Sequence, residues 1–203
     1  MLWIVLLIAG LLVIIQISSV IAIEYYQFKQ NETLKSTLNP GTENSANLVV
    51  YFSRSGNTEL MACKIAQMKQ ARLLNLIASH YRIGLKGWVN AMLDARKTNA
   101  VISPKAIDLS RYDTIFIGAP IWLYSPAPPV FEFVRQNDFK GKKVILFNSL
   151  NSKFEQKYID EFSRLVAQSG GTLIKHIAIV RGRMTRQMRT EDFLEAVEKE
   201  LLK

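Results

Sequence analysis

The chain is poor in the residues that build disulfide frameworks and metal centres: it has one cysteine and two histidines in 203 residues. A single cysteine closes no disulfide within the chain. His80 and His176 lie far apart, with no cysteine or histidine at ligand spacing, which argues against a zinc-type site. Several catalytic and nucleotide signatures are also missing. Neither Gly-x-Gly-x-x-Gly nor Gly-x4-Gly-Lys-Ser/Thr occurs, so the glycine-rich dinucleotide turn and the P-loop are excluded. The Gly-x-Ser-x-Gly elbow of a serine hydrolase is absent. No acidic pair ends the first apolar run of the main domain, against a phospho-receiver. Cys63, five residues past Thr58, reads as a small buried residue rather than a reactive thiol.

Charge is missing from residues 2–23, LWIVLLIAGLLVIIQISSVIAI, where Gln16 is the one strongly polar side chain. At ~1.5 Å per residue a helix of this length spans about 33 Å, enough to cross a hydrocarbon core. Trp3 at one end and Tyr25 and Tyr26 beyond the other stand where interfacial aromatics belong. No Lys or Arg precedes the run, which favours a retained anchor over a cleaved signal peptide. Lys29 and Lys35 follow it, so positive residues place the remaining chain on the cytoplasmic side. The expectation is a single-pass membrane protein: an anchor over residues 1–23, a polar tether over 24–47 that includes Pro40-Gly41, and one domain over 48–203.

The formal net charge is +9. With an anchor present, anionic lipid headgroups are the nearest negative partner, and no nucleic acid is expected. The remaining ~150 residues suffice for one domain with a sizeable core.

Within that domain apolar, β-rich runs alternate with helical patterns. Strands are expected at 48–52, 73–77, 114–118, 144–147 and 172–180. Helices are expected at 58–66, 82–97, 130–136, 158–168 and 191–202. Continuous apolar strands alternating with helices imply an α/β fold, with a parallel sheet covered on both faces. Right-handed crossovers then suit a doubly wound five-stranded sheet of order 2-1-3-4-5. The 82–97 helix carries Leu85, Trp88, Val89 and Leu93 near one face, read as core-facing with a basic outer side.

In such a sheet, ligands bind at the carboxyl ends of the strands, beside the reversal of strand order. The first strand ends in Ser53-Arg54-Ser55-Gly56-Asn57-Thr58, where a helix starts. Exposed N–H groups, the helix dipole and three hydroxyls suit a phosphate there, and Gly56 admits a close backbone approach.

YFSRSGNTE resembles the Thr/Ser-x-Thr/Ser-Gly-x-Thr loop of flavodoxins at every defined position. IGAPIWLYSPAPPVFEFVRQNDFKGKKV resembles the flavodoxin segment that runs from the third strand through a Gly-x-Pro-Ile-Trp loop to an Asp-Phe-x-Gly-Lys turn. The resemblance covers residues 48–180 and implies FMN. Ser53, Arg54, Ser55, Gly56, Asn57 and Thr58 would hold its phosphate. Pro120, Ile121, Trp122, Leu123 and Tyr124 would border the isoalloxazine ring, with Trp122 or Tyr124 offering an aromatic face. In many short relatives the third ligand loop is glycine-rich. Here it is Asn148-Ser149-Leu150-Asn151-Ser152-Lys153-Phe154. Asn148, Ser149 and Asn151 remain able to bond the ring's polar edge, and Lys153, if it lies near the N1/C2 carbonyl edge, would stabilise the anionic reduced flavin. Flavodoxins that shuttle electrons are typically acidic, whereas this chain is basic.

Two readings follow. One is a membrane-surface redox protein that carries electrons or reduces a small acceptor, through a redox partner that the sequence does not name. It extends to an FMN-dependent oxidoreductase of the NAD(P)H-quinone type. The other is a tethered interaction module that keeps the flavodoxin fold without flavin. No side chain is nominated as an acid or base, since a flavin would carry the chemistry.

Overall fold

The computed structural model describes residues 2–35, 38, 45–183 and 186–203. Helix α1 (Leu2–Lys35) precedes an α/β domain. The domain continues through strand β1 (Asn47–Tyr51), helix α2 (Asn57–Lys69), strand β2 (Arg72–Asn75), helix α3 (Leu85–Asp94) and strand β3 (Thr114–Trp122). Then follow the short strand β4 (Ser125–Pro126), helix α4 (Pro128–Gln136), strand β5 (Lys143–Leu150), helix α5 (Gln156–Gln168) and strand β6 (Thr172–Val180). A small hairpin, β7 (Gly182–Arg183) with β8 (Arg186–Gln187), leads to helix α6 (Thr190–Leu202).

The five long strands are parallel in the order β2-β1-β3-β5-β6. This is the expected 2-1-3-4-5 arrangement, with β4 set aside as a two-residue partner of β3. The strands are apolar on both faces because helices cover both. Leu48, Val50, Ile115, Ile117, Val144 and Leu146 point to one core, which takes in Phe131, Val134, Phe162 and Val166 from α4 and α5. The alternate residues Val49, Tyr51, Phe116, Phe147 and Ile177 point to the other, with Leu60, Ile65, Phe193 and Val197 from α2 and α6. The period of two along each strand thus sorts residues between two cores rather than between core and water.

Two elements differ from the sequence expectation. The first helix does not end with its apolar stretch at residue 23 but continues to Lys35, so residues 24–35 of the expected tether are helical. Glu24, Gln27 and Asn31, spaced three and four apart, share one face and are buried against the domain. That stripe reads as polar linker in sequence, because its partners are polar groups of the domain. Pro40-Gly41 lies outside the described residues. By contrast, side chains 3–15 of α1 are exposed almost throughout.

The second difference is α3. Most of its expected core face is turned outward: Leu85, Val89 and Leu93 are exposed, Trp88 is half-buried at the edge of the site cavity, and the buried residues of the helix are Gly87 and Ala91. Small side chains let α3 lie close to the domain. The Gly87 Cα faces the Arg82 carbonyl so closely that a Cβ would collide with it.

Candidate functional site

The site lies at the carboxyl ends of β1 and β3, the two strands beside the reversal of strand order. The six-residue loop after β1 turns into α2 through Gly56, which has φ +90°. That conformation favours glycine. The Ser53 hydroxyl accepts the Gly56 N–H at 3.1 Å and closes the turn. Among the described residues no side chain caps α2. Its first-turn amides therefore remain available to an anion. Thr58 and Ser149 join the loop to β5 through a buried hydroxyl pair at 2.7 Å.

A cavity of about 120 Å³ opens at this point. It brings together Ser53, Arg54, Ser55, Asn57 and Thr58 from the loop, Pro120, Ile121 and Trp122 from β3, and Ser149 and Asn151 from the β5 end. Four expected residues stand outside its lining. Gly56 forms the backbone of the turn itself. Leu123 and Tyr124 occupy the two-residue β3–β4 hairpin with φ +42° and +77°. Both central residues of such a hairpin need positive φ, and non-glycine residues there store strain. Asn148 is fully buried: it donates to the Ala119 carbonyl at 2.7 Å, and its Oδ1 lies 2.8 Å from His176 Nε2. Its amide thus ties β5 to β3 and β6. Burial lowers the His176 pKa to about 4, so the ring is neutral and donates to Asn148. Lys153 rests over the Tyr124 ring at 5.3 Å.

The aromatic side of the cavity is firmly packed. Trp122 meets Phe52 at 5.6 Å and Tyr81 at 5.2 Å, both edge-to-face. Trp88 and Met92 of α3 close the same side.

The structure adds residues that the sequence reading assigned to the tether, and one, Arg181, to which it gave no role. Glu24 of α1 forms a buried ion pair with Arg54. Arg54 also donates to the Tyr81 and Gly84 carbonyls, at 3.1 and 3.2 Å. Burial lowers the Arg54 pKa to about 10, which leaves it charged at neutral pH. Asn31 of α1 donates to the Ser55 carbonyl at 2.8 Å and to Asn57 Oδ1 at 3.2 Å, directly over Gly56. Arg181, just past β6, lines the cavity too. It is buried, and its guanidinium donates to the Met188 carbonyl and the Thr190 hydroxyl. Two buried atoms, Arg181 Nε and Glu24 Oε2, have no hydrogen-bond partner among the described residues. One signal for α1 was present in the sequence: the 3–4 spacing of Glu24, Gln27, Asn31 and Lys35 marks a helix face.

The uncapped first turn, the three hydroxyls, the glycine turn and the buried cations fit a phosphate ester. The Glu24 carboxylate opposes one.

Comparison with known proteins agrees with this geometry. The chain is similar to a candidate flavoprotein from Bacteroides uniformis ATCC 8492, with TM-score 0.61, 22% identity, and coverage of 81% of this chain and 100% of that one. It is also similar to a flavoprotein from Lactobacillus acidophilus NCFM solved in complex with FMN. That match has TM-score 0.55, 25% identity, and coverage of 65% of this chain and 91% of that one. A candidate flavoprotein from Bacteroides eggerthii DSM 20697 matches with TM-score 0.56 and 17% identity, over 81% of this chain and 100% of that one. No curated protein is significantly similar in sequence. A flavodoxin family model matches residues 46–196, most of the chain, and the chain therefore belongs to the flavodoxin family.

Proposed function

We propose that the chain is a membrane-anchored flavoprotein that binds FMN in the 53–58 loop and transfers electrons at a membrane surface. The observation that carries this reading is the loop itself: an uncapped helix N-terminus behind a glycine turn, with hydroxyls at Ser53, Ser55 and Thr58. It stands in a chain of the flavodoxin family whose structural neighbours include an FMN complex. The loop would hold the phosphate, and Trp88 and Trp122 would border the ring. Ser149 and Asn151 would bond its polar edge. FMN supplies one- and two-electron transfer, and the protein's part is to bind, orient and exclude water.

The anchor supports the second half of the reading. Helix α1 is long enough to span a bilayer, and its apolar part is not packed on the domain. Lys29 and Lys35 favour a cytoplasmic domain by the positive-inside rule. The electron donor and the small acceptor, for which a quinone is a suitable class, are part of the proposal.

One observation favours the alternative of a flavin-free interaction module. The Glu24 carboxylate sits in the phosphate cavity, and the cavity is smaller than the ~300 Å³ or more typical of ligand sites.

Purification of the full chain in detergent separates the two. The flavoprotein reading expects a flavin absorbance spectrum, release of FMN on denaturation, and two measurable flavin potentials. Colourless, well-folded protein that takes up no added FMN would leave the interaction module.

A further inference from the structure

We infer that the exposed face of α3 is a membrane-docking surface that lies on the headgroups of the bilayer in which α1 is anchored. This rests on the proposed anchoring and goes beyond it, because an anchor alone leaves the domain free to swing.

Three observations combine. The first is position. Residue 23 is the last of the apolar stretch, and Glu24 follows it. Glu24 pairs with Arg54, and Arg54 donates to the carbonyl of Gly84, the N-cap of α3. One end of α3 is therefore two side chains away from the point where α1 leaves the hydrocarbon. Just past the other end, Arg96 donates to the Leu123 carbonyl in the β3–β4 turn. Trp88, Ala91 and Met92, between these ends, line the cavity at the strand ends. Helix α3 thus lies across the carboxyl edge of the sheet, the edge from which α1 departs.

The second is an outward apolar row. Leu85, Val89 and Leu93 recur every four residues on one helix face and are 47%, 39% and 72% exposed. Leu123, beside the far end, is 45% exposed. Val101, which shares a surface pocket with Leu85, is 76% exposed. Isolated exposed leucines are ordinary, but a contiguous apolar row marks an interaction site.

The third is charge. From Leu76 to Val101 the chain carries Arg82, Lys86, Arg96 and Lys97 and a single acidic residue, Asp94. Lys97 forms an ion pair with Asp94 at 2.7 Å, and His80 Nε2 lies 3.2 Å from the same carboxylate. Arg82, Lys86 and Arg96 are exposed beside the apolar row. Apolar residues backed by cations are the pattern of a helix lying in a bilayer interface, where lysine and arginine stems reach to anionic headgroups. The Leu85, Val89 and Leu93 row, which reads as core-facing by periodicity, then faces lipid.

Nitroxide accessibility in nanodiscs containing phosphatidylglycerol and phosphatidylcholine tests this on the full chain. Single labels are placed at Leu93→Cys, Leu12→Cys and Lys140→Cys in a Cys63→Ala background. Docking expects position 93 to be reached by oxygen and shielded from a water-soluble nickel complex. Position 12 should be more strongly shielded still, and position 140, at the opposite edge of the sheet, fully open to nickel. Discs of phosphatidylcholine alone should raise nickel access at position 93 several-fold. If position 12 is lipid-buried while 93 is as nickel-accessible as 140, docking is overturned and anchoring stands. If position 12 is itself water-accessible, both fall. Shielding of position 93 from oxygen and nickel alike would mark a protein contact and overturn the lipid assignment.

Discussion

Glu24 and Arg54 place opposite demands on one cavity. A buried ion pair stabilises mainly by not leaving a partner alone, and removing one side commonly costs ~3–5 kcal/mol. A carboxylate next to a phosphate site also repels the ligand and holds a cation that would otherwise serve it. Glu24→Gln is therefore expected to lower the denaturation midpoint while tightening FMN binding several-fold, measured by flavin fluorescence at a temperature where the variant is folded. Parallel losses in both would mean that Glu24 only supports the loop. At the same scale, His176 is held neutral by burial, with its pKa lowered to about 4 from the usual value near 6.5. The unfolded chain then binds more protons between these values, so His176 contributes stability above pH 6.5 that is lost as the pH falls towards 4. His176→Gln keeps a donor for Asn148 and should flatten that part of the urea midpoint–pH curve. An unchanged slope would locate the pH sensitivity elsewhere.

The elements were legible to different degrees, for physical reasons. The long parallel strands were plain because burial on both faces makes them continuous apolar runs, as in Val144-Ile145-Leu146-Phe147. The turn at 53–58 was plain because a glycine between a continuous apolar strand and a helical pattern marks a strand–helix turn. Helix α3 misled because its periodicity gives an apolar face but not what that face meets. The helical extension of α1 misled because Glu24, Gln27 and Asn31 are buried against polar groups, and a polar stripe reads as solvated. The Asn148 amide is spent inside the sheet, which a donor list alone does not reveal. The α1 extension is expected to brace the loop through Asn31. Asn31→Ala should speed amide exchange at Gly56 and Asn57 roughly tenfold, while β5 amides are unaffected. Gly56→Ala should cost ~1 kcal/mol or more, since φ +90° disfavours alanine and the new Cβ would meet Asn31 at 2.6 Å. A midpoint equal to that of the parent would mean that the turn relaxes.

For the whole molecule, the geometry links helix α1 to the candidate site. Helix α1 packs on the loop at Arg54, Ser55 and Asn57 and, through Lys35, on Glu59 of α2 at 3.1 Å. The Tyr51 hydroxyl donates to the same Glu59 oxygen at 2.7 Å. The polar end of α1, residues 24–35, is thus part of the site's wall, and on the proposed topology the loop opens close to the bilayer surface. The basic charge of the chain suits that surface and sets it apart from the acidic shuttles that its family resemblance brings to mind.

The central claim is that the 53–58 loop holds FMN. Its most direct test is titration of the detergent-solubilised full chain with FMN, beside Ser55→Ala/Thr58→Ala. Losing two hydrogen bonds to a charged group, at ~1.5–3 kcal/mol each, should weaken binding at least ~100-fold. Saturable quenching by the parent and little by the variant is the expected result. A folded parent that does not quench, or a variant that quenches equally, would contradict it.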